Sequence, residues 1–360
     1  MGVLIGVFLH FIGGFASGSF YIPYKKVKGW NWESYWLAGG LFSWVIAPIA
    51  ACYFLVPHFW EIIGTASTAT IFWTYFMGLL WGIGGLTFGL SMRYLGMSLG
   101  MAIALGYCAA FGTLIPPIYN DIINHTGAGE TSFTNLLSTR SGNIILLGVL
   151  VCIVGIAICG KAGVMKEKEQ TDAEKKENIK EFNLKKGILV ATFSGILSAC
   201  FSFGLTAGKP IANIALSRGI DPLWQNNATL VIILLGGLTT NLIWCVILNI
   251  KNKSYTDYTN RKTPLLANYL FSAIAGTTWY LQFFFYGMGS SKMGKYDFSS
   301  WTFHMAFIII ISNLWGLYFK EWKGSSKQTL KVIALGITVV IFSTMIVGFA
   351  NYLASTEQIH

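Results

Sequence analysis

Ten apolar runs divide this chain, and they decide what it can fold into. Their approximate limits are 3–22, 33–56, 70–92, 95–117, 142–160, 187–208, 224–249, 265–290, 296–319 and 328–352. Each holds 19–26 residues, enough for a helix that crosses ~30 Å of hydrocarbon. Inside lipid every backbone N–H and C=O needs an internal partner, so such runs form helices. Only 11% of the residues are charged, against 54% hydrophobic. An ordinary soluble domain carries about a quarter charged residues, and so little charge could not cover a soluble surface of this size. The expected class is an all-α polytopic membrane protein with ten transmembrane helices. The 40 glycines suit helices that approach one another closely.

The net charge of +10 is a matter of topology, and no nucleic-acid partner is expected. Loops on one side of the expected membrane hold 20 Lys and Arg, and loops on the other hold 5. The Lys-rich side is expected to be cytoplasmic, which leaves both termini periplasmic. The apolar N-terminus is not expected to be a cleaved signal, because its basic run, Lys25, Lys26 and Lys28, follows it. Six cysteines, Cys52, Cys108, Cys152, Cys159, Cys200 and Cys245, all fall in or beside apolar spans. No spacing resembles a metal site, and no disulfide is expected.

The one strongly polar stretch, 161–186, mixes Lys and Glu and reads as a solvated cytoplasmic linker. It separates a first five-helix repeat, 1–160, from a second, 187–360. Gly14, Ser17 and Phe20 of the first helix find counterparts in Gly195, Ser198 and Phe201 of the sixth. Five is odd, so the two units enter the membrane in opposite senses. Such inverted repeats are common in transporters, with the substrate near the midplane between halves.

Polar groups within apolar spans carry the functional signal, since lipid offers them no partner. Trp279, Gln282 and Tyr286 share one helix face at i, i+3, i+7. Asp297, Ser300, Trp301 and His304 repeat that spacing in the next span. These stripes are expected to line a path for a small polar solute. His10 and His304 lie at similar depth and titrate near physiological pH, so with Asp297 they are the candidate proton-coupling sites. Trp279 and Gln282, joined by Tyr280 and Trp301, are the candidate substrate contacts, through ring stacking and amide hydrogen bonds. Lys209, at the outer end of the sixth span, is a candidate gate. Gly13, Gly14, Ser17 and Tyr21 share the face of His10 and are expected to leave a small polar groove. Asn226 and Asn227 are further pocket candidates, and Asn241 is expected to join helices. Glu33 and Arg93 read as edge residues that set topology, and Trp30, Trp32, Trp36 and Trp60 as an interfacial belt.

No Walker loop, G-x-S-x-G elbow or H-E-x-x-H occurs, so enzymatic activity and ATP-driven transport are not expected. No carboxylate lies deep in the spans, which disfavours an exporter of lipophilic cations. A neutral solute fits better. A receptor or purely structural bundle is the competing class, and it predicts no solute flux.

Several long strings resemble the bacterial L-rhamnose–proton symporters of the drug/metabolite transporter superfamily. They are Phe20-Tyr-Ile-Pro-Tyr-Lys-Lys-Val-Lys28, Met92-Arg-Tyr-Leu-Gly-Met-Ser98, Glu181-Phe-Asn-Leu-Lys-Lys-Gly187 and Trp279-Tyr-Leu-Gln-Phe-Phe-Phe-Tyr286. Tyr296-Asp297, Ser300-Trp301 and His304-Met305 complete them. The resemblance covers essentially the whole chain, and departs from the family in a longer central linker and in the loop from Tyr119 to Arg140. It implies alternating-access uptake of L-rhamnose, or a related neutral sugar, with a proton across the bacterial inner membrane. It implies no cofactor, metal or obligate protein partner beyond the lipid bilayer. The residues themselves leave open sodium in place of the proton, and a transporter or facilitator of another neutral metabolite.

Overall fold

Apolar runs this long become helices, and the computed structural model is helical throughout. It describes residues 2–95, 97–123, 132–169, 183–319 and 322–357, and no strand occurs among them. The long helices are α1 (Gly2–Ser19), α2 (Trp32–Leu55), α3 (Thr68–Leu95), α4 (Met97–Ile123) and α5 (Arg140–Glu169). They continue with α6 (Leu184–Ala207), α7 (Asn227–Asn252), α8 (Leu265–Ser290), α9 (Ser300–Tyr318) and α10 (Lys327–Glu357). Eight segments, covering all of these but α4 and α8, are long and apolar enough to cross a membrane, so the chain is a multi-pass membrane protein. Helix α8 is long enough but carries Asn268, Ser272, Thr277, Thr278 and Gln282.

Local chemistry explains the interruptions. Helix α2 widens into a π turn at Phe42–Ile46, just before Pro48, which has no N–H to offer the preceding turn. Asn183 caps α6 by accepting the Lys186 N–H at 3.0 Å. Helix α5 runs through Glu169, so the expected linker begins as helix, and its residues 170–182 lie outside the described ones. The Glu169 carboxylate accepts the Ser326 N–H at 2.7 Å and the Thr329 hydroxyl at 2.6 Å, tying the end of α5 to the start of α10.

The packing is long-range. Helix α1 lies in the seam between α8 and α9, and α6 lies between α3 and α4. Helix α5 packs along α10, α3 along α7, and α2 along α8. Glycines set the closest approaches: a Cβ on Gly276 would strike the Gly39 carbonyl, so α2 and α8 meet backbone to backbone. The expected groove beside His10 is absent. Gly13 lies against the α8 backbone, where its Cβ would come within 3.0 Å of the Gln282 carbonyl oxygen, and Gly14 lies against Phe307 of α9. Small residues on that face admit two neighbouring helices rather than solvent.

Glu33 is no mere topological edge residue. It is buried and accepts hydrogen bonds from Ser254 Oγ at 2.6 Å and Asn252 Nδ2 at 2.9 Å. Beside it, buried Asp257 accepts from Ser34 Oγ and the Asn31 N–H, both at 2.8 Å. Asn268 of α8 brackets Lys28, accepting its N–H at 3.0 Å and donating to its carbonyl at 2.8 Å. The loop after α1 is thus sewn to the α7–α8 connection. At the other end of α2, exposed Arg218 reaches Glu61 at 3.5 Å and Thr65 at 2.8 Å. Two belt assignments also fail. Trp30 is buried against Tyr258 and Tyr269, and Trp36 turns inward to donate to Asn241 Oδ1 at 3.0 Å. That bond gives Asn241 the helix-joining role its position suggested. The six cysteines are buried and unpaired.

Candidate functional site

An aromatic column fills the space among α1, α2, α3, α6, α8 and α9. Helix α8 contributes Trp279, Phe283 and Tyr286, at the 3–4 residue spacing that aligns side chains on one face. Phe283 packs at 4.4 Å between ring centroids on Phe201 of α6 and at 5.3 Å on Trp81 of α3. Phe201 stacks on Trp301 of α9 at 5.7 Å.

Tyr286 is the centre of one end of this column. Its ring lies 5.4 Å from the imidazole of His10, 5.3 Å from that of His304 and 5.6 Å from Trp301. Both imidazoles are essentially inaccessible, with His10 at 0% and His304 at 1% exposure. None of their four ring nitrogens has a hydrogen-bond partner within the protein. His10 stacks 5.9 Å from Phe303 and presses on Gly289, where a Cβ would come within 2.7 Å of the ring. Buried imidazoles normally find partners, because an unsatisfied polar group costs about 1–3 kcal/mol. The two imidazoles are therefore not hydrogen-bonded links between helices within the protein.

Trp279 marks the other end. It lines a narrow, tightly closed cleft with Phe20, Tyr24, Trp36, Gly40, Ser43 and Trp44. Trp279 and Tyr286 are seven residues apart, so the cleft and the imidazoles stand about 10 Å apart along α8.

The other sequence candidates are less concentrated. Trp301 joins the imidazole cluster, but its indole N–H is committed to the Cys108 carbonyl at 3.0 Å, which leaves only its ring for contact. Gln282 is buried with an unpartnered Nε2, on the side of α8 that meets α1. Tyr280 is buried with an unpartnered hydroxyl and packs on Phe284, apart from Trp279 on the helix circumference. Asp297 is exposed on the short helix Gly294–Ser299, and Lys209 is exposed at the start of the short helix Lys209–Ser217. Asp297 is near enough to Tyr286, the centre of the imidazole cluster, to act on it electrostatically. Asn226 donates to the Gly287 carbonyl at 3.2 Å, a helix-joining bond, and Asn227 is buried with an unpartnered Nδ2. Sequence reasoning missed Trp36 and Trp44 as cleft residues. The available signal was their spacing across the π turn, on the same helix as Gly40 and Ser43.

Comparison with known proteins gives a consistent answer over the full length. Residues 1–353 match the family described as L-rhamnose-proton symport protein (RhaT). An L-rhamnose-proton symporter of Yersinia pestis (strain Pestoides F) is 42% identical over 351 residues, spanning 96% of this chain and 97% of the relative. Another, from Klebsiella pneumoniae (strain 342), is 40% identical with the same coverage.

Proposed function

We propose, from the premise that the chain belongs to the L-rhamnose-proton symport protein family, that it takes up L-rhamnose together with a proton. The full-length likeness to curated symporters of that sugar is the observation that carries this reading. The transporter works by alternating access in a bacterial inner membrane, with both termini periplasmic and 161–186 cytoplasmic, as a member of the drug/metabolite transporter superfamily. Rhamnose is uncharged, so uphill uptake needs a coupled ion. One charge moving through 100 mV supplies ~2.3 kcal/mol, about 40-fold accumulation at ~1.4 kcal/mol per decade.

The architecture is two inverted five-helix repeats, 1–160 and 187–360. The packing supports this. Advancing each helix by five turns the α1–α8 contact into α6–α3, α1–α9 into α6–α4, and α3–α7 into α8–α2, all of which occur. Within it His10 and His304 are the proton sites, with Asp297 as an acceptor on the way in. Trp279 contacts the bound sugar; Gln282, Trp301 and Tyr280 serve its passage along α8, and Lys209 lies at the outer gate. Support for the imidazole pair is its burial without partners, and for Trp279 its place in the cleft.

The test is external pH in a lightly buffered, energy-depleted cell suspension making this protein. Adding L-rhamnose should alkalinise the medium transiently, and a protonophore should abolish the change. Sugar uptake with no pH change would overturn proton coupling, and no uptake of labelled rhamnose would overturn the sugar.

A further inference from the structure

The cleft beside the π turn holds two indole N–H groups that nothing accepts. Trp44 is 2% exposed, and neither its Nε1 nor that of Trp279 has a partner within the protein. By contrast the indoles of Trp36, in the same cleft, and of Trp301 and Trp315 reach Asn241 Oδ1, the Cys108 carbonyl and Ser19 Oγ, all within 2.9–3.0 Å, while that of Trp30, just before α2, also lacks a partner. Buried tryptophan N–H groups usually do find such partners. The backbone around Trp44 is built to aim it. The π turn Phe42–Ile46 rotates Ser43 and Trp44 out of regular register, and π turns are frequent at functional sites. Gly40 has no Cβ, and one there would strike the Trp44 ring, so the indole lies flat along its own helix. The Ser43 hydroxyl has only a long bond to the Gly40 carbonyl at 3.4 Å.

We infer that this cleft is the sugar subsite, with Trp44 and Trp279 donating to ring hydroxyl oxygens and Trp36 and Phe20 forming the wall for the sugar's C–H face. The inference rests on the symport reading above and adds residues of the first repeat that the reading did not assign. Every lining residue is uncharged, namely Phe20, Tyr24, Trp36, Gly40, Ser43, Trp44 and Trp279. The subsite therefore takes a neutral pyranose and rejects sugar phosphates and sugar acids, whose charge would be buried unpaired. As packed here it leaves no open space even for a water, against the ~300–1,000 Å³ usual for small-molecule sites, so α2 and α8 separate to admit the sugar. Phe283, wedged on Phe201 and Trp81, stands between the subsite and the imidazoles, and keeps sugar and proton on separate stretches of α8.

The experiment compares the unaltered protein with Trp44→Phe in proteoliposomes, using labelled L-rhamnose and its monodeoxy analogues. Trp44→Phe keeps the ring and removes the donor. It should raise the half-saturating rhamnose concentration about five- to tenfold, the worth of one good hydrogen bond, at an unchanged proton-to-sugar ratio. One monodeoxy analogue should be weak on the unaltered protein and lose nothing further on Trp44→Phe, because the two deletions remove the same bond. An unchanged half-saturation, or equal further losses for every analogue, overturns the subsite. Should Trp44→Phe fail to reach the membrane, Trp279→Phe, which removes the other donor and keeps a ring, decides: a rise of about fivefold supports the subsite, and no rise overturns it. Absence of rhamnose uptake by the unaltered protein would instead overturn the symport reading itself.

Discussion

Replacing His304 by Leu should leave the protein as stable as before, or more so, and end uphill transport. The reasoning is physical. His304 is 1% exposed, enclosed by Tyr286 and Trp301, with both ring nitrogens unpartnered by protein. An unsatisfied buried polar group costs about 1–3 kcal/mol. Leucine fills a similar volume, and volume-conserving core swaps cost under ~1.5 kcal/mol. The balance is a gain of about 0–2 kcal/mol, or a melting temperature level to a few degrees higher. Transport should respond in the opposite direction. If His304 carries the proton, rhamnose accumulation under an imposed 100 mV falls from about 40-fold toward unity, while exchange of labelled for unlabelled rhamnose down no gradient persists. Thermal unfolding of purified protein and both fluxes in proteoliposomes supply the test. A fall in melting temperature of about 5 °C or more would mean that the imidazole stabilises the bundle through contacts other than those described. Retained accumulation would remove His304 from the coupling.

Other perturbations follow from the packing. Gly276→Ala places a methyl group on the Gly39 carbonyl and should cost about 1–3 kcal/mol, read as lower folded yield. Gly85→Ala, with nothing within 4 Å of the added Cβ, should fold as the unaltered protein does. Trp36→Phe leaves Asn241 Oδ1 without its donor and should lower stability by about 1–3 kcal/mol in thermal unfolding. Glu33→Ala removes a buried acceptor of two hydrogen bonds and should destabilise clearly. Glu61→Ala breaks only two exposed contacts, to Arg218 and His58, and should leave the melting temperature nearly unchanged, since such pairs contribute little.

What the sequence disclosed, and what it hid, divides along the range of the interactions. Eight of the ten expected spans were legible as helices long and apolar enough to cross a membrane, because lipid imposes them locally. The anomaly of His10 and His304, titratable groups inside apolar spans, was equally local, and Asn241 stood out because amides in such spans join helices. Helix partners were not legible. Gly13 and Gly14 read as a groove because their neighbours, α8 and α9, lie more than 250 residues away in the chain. Glu33 read as an edge residue because Asn252 and Ser254 arrive from the far end of α7. Trp36 resembled an interfacial tryptophan by its distance from the helix end, yet its acceptor, Asn241, lies 205 residues on. Tyr280 and Trp279 are adjacent in sequence but about 100° apart around α8, so proximity in the string overstated their kinship.

The geometry also suggests how two separated sites become one machine under the symport reading. Helix α8 carries Tyr286 among the imidazoles and Trp279 in the cleft, and α1 carries His10 at the first and leads into Phe20, just past its end, at the second. The seam between these two helices is unusually smooth: Gly6 faces Gly289 and Met293, and Gly13 faces the Gln282 carbonyl. A glycine seam resists sliding less than interlocked side chains do, since few rotamers must change for one backbone to move past the other. Protonation of His10 would change the charge pressed against Gly289 and Tyr286, on the same helix whose displacement opens the cleft at Trp279. Coupling then needs no chain of hydrogen bonds between the sites. It needs only that α1 and α8 have two relative positions, and that the proton and the sugar both favour the same one.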